Sequence, residues 1–110
     1  MYKQELNSSY QEIIRLENML TDADIQHRIE RAEDGWHICY PDYGERCVCS
    51  VIEFTGSQGA KKDRLEIKGL LNKEEKKFNT VVGHLSAENV FERIRRDWER
   101  RKKRREKVES

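Results

Sequence analysis

The apolar positions of the chain change rhythm several times, and each change predicts a new element. Leu6, Tyr10, Ile13, Leu16 and Leu20 recur at spacings of three and four, which puts them on one face of a helix. A first helix is therefore expected from about Tyr2 to Leu20. Beyond Thr21 the pattern turns to alternation, with Ile25, His27 and Ile29 on one side and Gln26, Arg28 and Glu30 on the other, as a half-buried strand requires. Glu33, Asp34 and Gly35 then supply a turn, because Asp-Gly tolerates positive φ. Trp36, Ile38 and Tyr40 alternate with His37 and Cys39, Pro41 to Gly44 mark a second reversal, and Val48, Ile52 and Phe54 share one face of a third strand. Connections this short exclude a parallel crossover, so the three strands form an antiparallel meander.

Two rhythms compete between Gly56 and Lys77. Leu65, Ile67 and Leu71 alternate like a strand, while the leucine, glutamate, isoleucine and lysine content suits a helix; the expectation taken forward is a helix from about Lys62 to Leu71, behind a loop of glycine and serine. A short apolar segment at 80–85 allows one extra strand. Ser86 is placed to N-cap a last helix in which Val90, Phe91, Ile94 and Trp98 form the buried stripe. After Trp98 the same face carries Arg101, Lys102 and Arg105, so the helix leaves the core there. The fold expected is α+β: a three-stranded antiparallel meander packed with an N-terminal helix and C-terminal helices, in the order α-β-β-β-α-α. A single domain would cover residues 1–98, with a basic, solvated extension over 99–110.

Charge sharpens this picture. The net charge of +1 hides a split: ten of the 22 Lys and Arg and three of the 21 Asp and Glu lie between Arg93 and Lys107, a local balance of +7, which leaves −6 for the rest. The molecule is an acidic body with a basic tail. At 110 residues it supports one modest core and no separate catalytic domain. No apolar run approaches the ~20 residues of a membrane span, and the N-terminus lacks the basic flank and apolar stretch of a signal peptide, so a cytoplasmic protein that engages no membrane is expected. The odd number of cysteines, Cys39, Cys47 and Cys49, does not read as a disulfide framework and agrees with a reducing compartment.

The tail has two readings. Asp97 with Arg101 and Glu99 with Lys103 make i,i+4 pairs of favourable polarity, and cations suit the negative end of a helix dipole, so the segment reads as a solvated helix end. Alternatively, the six consecutive cations Arg100, Arg101, Lys102, Lys103, Arg104 and Arg105, with Arg93 and Arg96 upstream, form a contact for a polyanion or an acidic protein, salt-sensitive in either case. Trp98 sits where it stacks on a base or closes the core, and its spacing from Ile94 favours the core.

His37, Cys39, Cys47 and Cys49 form a second constellation. If residues 42–44 make a three-residue hairpin loop with Gly44 left-handed, Cys39 pairs with Cys47 and His37 with Cys49, and all four share one face. Such a square has the donor set of a zinc site, although small buried thiols that only fill space are the simpler expectation. No metal or other cofactor is expected. A Cys/His catalytic pair there lacks an orienting third group and oxyanion donors, and His27 and His84 stand alone.

Two resemblances add to this. The string at residues 56–62, with Gly56, Gly59, Lys61 and Lys62 after a helix and three antiparallel strands, resembles the double-stranded-RNA-binding domain, which implies lysines meeting phosphates across a groove. The chain departs from that family in its short first strand connection and its extra apolar segment and helix. Taken together, "IRLENML", "DGWHICYP", "SVIE", "EIKGLL" and "VVGHLSAENVFERI" resemble a small family of uncharacterised phage and prophage proteins of low-GC Gram-positive bacteria, over roughly residues 10 to 95. That resemblance implies no known catalytic residues, and action inside a host bacterial cell. Small phage proteins without catalytic machinery commonly dock on a host macromolecule and block it, anti-CRISPR proteins among them. The leading expectation is thus a non-enzymatic inhibitor of a host protein or protein–nucleic acid complex; the alternative is a nucleic-acid-binding module using Lys61, Lys62 and the basic helix. A second copy of the chain completing the Trp36 and Tyr40 face or the Phe91 stripe would make it a homo-oligomer.

Overall fold

The computed structural model describes residues 11–32, 35–53 and 65–109. Helix α1 (Gln11–Asp22) is followed by strands β1 (Arg28–Ala32), β2 (Gly35–Tyr40), β3 (Cys49–Glu53) and β4 (Leu65–Lys68), the short helix α2 (Lys73–Phe78), strand β5 (Val81–Leu85) and the long helix α3 (Ala87–Glu109). The strands make a single antiparallel sheet in the order β1-β2-β3-β4-β5. The α+β class holds, with five strands where the hydrophobic pattern led us to expect three.

Each chain reversal has a local cause. The helix α1 stops because Asp24 adopts a left-handed conformation (φ 57), the Ile25 N–H donates to the Leu20 carbonyl at 3.0 Å and the Asp24 N–H to the Thr21 carbonyl, which is a Schellman stop. Ile25 thus closes the helix and enters the core beside Leu20 instead of opening the first strand. Between β2 and β3 the chain spends residues 41–48 on a turn that includes a single 3-10 turn, Gly44–Arg46, with Gly44 at φ +76.

The segment expected to be a helix over Lys62–Leu71 is β4 where the structure describes it. Leu65 and Ile67 are fully buried while Lys68 is exposed, and Gly69 (φ +103) and Leu70 (φ 57) end the strand in conformations no helix contains. A Cβ on Gly69 would stand 2.0 Å from the Val48 carbonyl oxygen, so glycine alone lets β4 close on the start of β3. The short 80–85 segment is the fifth strand. Helix α2 was not foreseen; it opens on a capping box in which the Asn72 side chain accepts from the Glu75 N–H and the Glu75 carboxylate accepts from the Asn72 N–H.

α1 and α3 pack on one face of the sheet. Ile13, Leu16 and Leu20 of α1, Ala87, Val90 and Ile94 of α3, and Ile38, Tyr40, Cys49, Val51, Leu65 and Ile67 of the strands form the core, each buried valine, leucine or isoleucine contributing about 1.5–3 kcal/mol. Among the described residues no helix covers the opposite face, which carries Glu30, His37, Cys39, Ser50, Ile52 and Lys68. Two buried carboxylates bind the layers together. Glu53 of β3 accepts from the Ile13 N–H at 3.0 Å in the first turn of α1, and Glu12 of α1 accepts from the Ala87 N–H at 2.9 Å at the start of α3. A glutamate from another element thus satisfies an N–H in the first described turn of α1 and at the start of α3. No helix among the described residues is long and apolar enough to cross a membrane.

Candidate functional site on the C-terminal helix

Helix α3 begins as its sequence demands. Ser86 accepts from the Asn89 N–H through its hydroxyl at 3.1 Å and from the Val90 N–H through its carbonyl, the expected N-cap. Val90 and Ile94 are fully buried, Phe91 and Trp98 partly so. Trp98 meets Tyr40 edge-on with ring centroids 6.4 Å apart, so it belongs to the core wall and is not a free stacking platform. From Ile94, the last fully buried residue among those described, the helix continues for about 22 Å at 1.5 Å per residue.

Asp97 is the hinge pin of this extension. It accepts the Tyr40 hydroxyl at 2.6 Å and the Arg101 Nε at 2.5 Å, and Arg100 approaches its other oxygen at 3.7 Å. Burial and then this bond to Asp97 push the Tyr40 hydroxyl well above its ordinary pKa. Of the two ion pairs expected along the tail, Asp97 with Arg101 forms; Lys103 makes no ion pair with Glu99 among the described residues. Arg96, Lys102, Lys103 and Arg104 are exposed and likewise have no ion pair there. Arg105 lies in the same helix. Lys61 and Lys62 lie outside the described residues.

Arg93 is engaged within the fold. Its two terminal nitrogens grip the Glu75 carboxylate at 2.8 Å each and one also donates to the Leu70 carbonyl. This fork holds the Glu75 carboxyl down at about 2 and ties α2 against α3. Sequence reading placed Arg93 among the contact cations; the structure spends it on architecture. What the pattern missed is the groove beside it, about 800 Å³ between residues 70–76 and α3, with Leu70, Leu71, Lys76, Arg95, Arg96 and Arg100 in its lining.

The cysteine and histidine square does not form. Tyr40 pairs with Cys49 and Cys39 with Ser50, a register that turns Cys49 into the core and leaves His37 and Cys39 on the opposite sheet face. The longer 41–48 turn and the burial of Tyr40 against α3 set this register in place of the short hairpin. His37 Nε2 lies 2.6 Å from the Ser50 hydroxyl and 3.4 Å from the Cys39 sulfur. Burial raises the Cys39 and Cys49 thiols to about 12, with neighbouring Cys47 adding to the effect in both, so both are poor nucleophiles. Among the described residues no group of three or more His, Cys, Asp or Glu has the geometry to hold a metal ion. His27 is structural: one ring nitrogen meets the Ile25 carbonyl at 2.7 Å and the other the Glu17 carboxylate of α1.

Fold and site together define a small α+β protein whose meander sheet is backed by two helices, the longer one carrying an exposed basic end beside a groove. Comparison of the chain with protein-family models, curated proteins and solved structures finds no match.

Proposed function

We propose that this is a non-enzymatic binding protein that docks on an anionic surface of a host macromolecule through the basic face of α3. The observation that carries the reading is the division of labour along that helix: up to Trp98 its apolar residues build the core and Arg93 and Arg95 are paired with glutamates, and from Arg100 to Arg104 every side chain is an exposed cation. Lys102, Lys103 and Arg104 make no ion pair among the described residues. Their concentration opposite an acidic body favours an oriented approach to a negative partner. The finer reading, inhibition of a host defence protein such as a CRISPR effector inside the bacterial cytoplasm, is supported by the resemblance to phage proteins.

A protein partner is preferred to nucleic acid because Trp98 is engaged with Tyr40 and Arg93 with Glu75, which withdraws the stacking group and one of the cations a phosphate-tracking surface would use. The test is affinity purification from host extract with the intact chain and with a Lys102→Glu, Lys103→Glu, Arg104→Glu variant. A stoichiometric protein complex retained by the first and lost by the second is expected; equal recovery by both would refute the assignment to α3.

A further inference from the structure

The groove between residues 70–76 and α3 lies directly before the exposed basic end, and its lining is not that of a plain cation patch. Leu70 and Leu71 are half-buried and contribute apolar surface. Around them stand Lys76, Arg95, Arg96 and Arg100, with Glu92 and Glu99. Glu92 is taken by Arg95, whereas Lys76 and Arg96 have no ion pair among the described residues, and Arg100 reaches Asp97 only at 3.7 Å while Arg101 holds that carboxylate at 2.5 Å. Three cations are thus left to act against one acid, Glu99. The resulting field selects for negative charge, and the leucines offer a place where an apolar side chain is removed from water.

We infer that this groove is the seat of an acidic amphipathic peptide segment of the partner, carboxylates on Lys76, Arg96 and Arg100 and an apolar side chain against Leu70 and Leu71. A nucleic-acid strand fits the groove less well, because its phosphates would meet the cations and leave the leucines uncovered. The Arg93–Glu75 fork keeps the groove preformed by fixing α2 against α3, which lowers the ordering cost of binding. The inference rests on the proposed docking role of α3 and names the chemistry of the partner at its inner end.

The experiment titrates the ¹⁵N-labelled full chain with an amidated peptide in which glutamates flank two leucines one helical turn apart, with the same peptide carrying serines for leucines, and with a single-stranded oligonucleotide of equal charge. The expected result is shift changes at Leu70, Leu71, Asn89 and Arg96, affinity about tenfold lower for the serine peptide, since a buried leucine is worth at least that factor, and loss of binding in Arg96→Glu. Equal binding of the leucine and serine peptides, tighter binding of the oligonucleotide at the same residues, or no binding at all overturns the groove assignment. Shifts confined to residues 99–104, abolished by the Lys102→Glu, Lys103→Glu, Arg104→Glu variant and untouched by Arg96→Glu, overturn the groove while leaving the docking role of α3 standing.

Discussion

Single residues decide where this chain turns, and two of them give sharp expectations. Gly69 sits at φ +103 with the Val48 carbonyl where a Cβ would be; Gly69→Ala is expected to cost about 3 kcal/mol or more, from combined strain and overlap, read as a fall in the urea midpoint. Arg93 and Glu75 give a pH signature. The folded carboxyl titrates at about 2 against an ordinary 4.5, so the unfolded chain binds this proton more readily. Its stabilisation is complete above pH 4.5 and is lost as pH falls through the interval down to about 2. Arg93→Ala should therefore lower stability at neutral pH, by about 1–3 kcal/mol for a half-buried bidentate pair, and flatten this part of the stability–pH curve. A variant curve with the parent's acid slope would show that the fork is not the source.

At the scale of elements, legibility in the sequence tracks how local the cause is. α1, the first strands and α3 announce themselves because their apolar spacing and the Ser86 cap are read from neighbours in the chain. β4 was misread as a helix because Leu65, Ile67 and Leu71 satisfy two rhythms, and what settles it is pairing with β3 and the closeness of Gly69 to Val48, both distant in sequence. The Asn72 to Glu75 spacing is a capping signal legible in the sequence. The candidate site divides in the same way: the exposed cations at 100–104 were visible as a run, whereas the Arg93–Glu75 fork, the Tyr40–Asp97 bond and the groove exist only once α2 and the sheet are in place. The cysteine square failed for the same reason, since one wrong loop length moves every side chain of a strand to the other face. The crossed glutamate caps give this scale its test. Glu53→Ala strands the Ile13 N–H and is expected to cost about 1–3 kcal/mol, while Glu53→Gln, which keeps an acceptor, should cost less. Thermal melts of the two variants check the order, and equal loss in both would mean that charge, not the hydrogen bond, is what Glu53 supplies.

On the scale of the whole molecule, the design separates what holds the fold from what meets a partner. Core and caps end near Trp98; beyond it Arg100 and Arg101 still lean on Asp97, while Lys102, Lys103 and Arg104 are exposed and make no ion pair among the described residues. Replacing Lys102, Lys103 and Arg104 with glutamate should therefore leave stability within about 0.5 kcal/mol, as surface substitutions do, while reversing the electrostatics of the helix end. The direct measurement is binding of the intact chain and of this variant to poly-glutamate, double-stranded RNA, double-stranded DNA and single-stranded DNA across a salt series. The account predicts that the intact chain prefers the poly-glutamate, that log affinity falls with log salt, and that the folded variant binds the poly-glutamate at least about tenfold more weakly. Undiminished binding by the variant, or a preference for any of the nucleic acids, would contradict it.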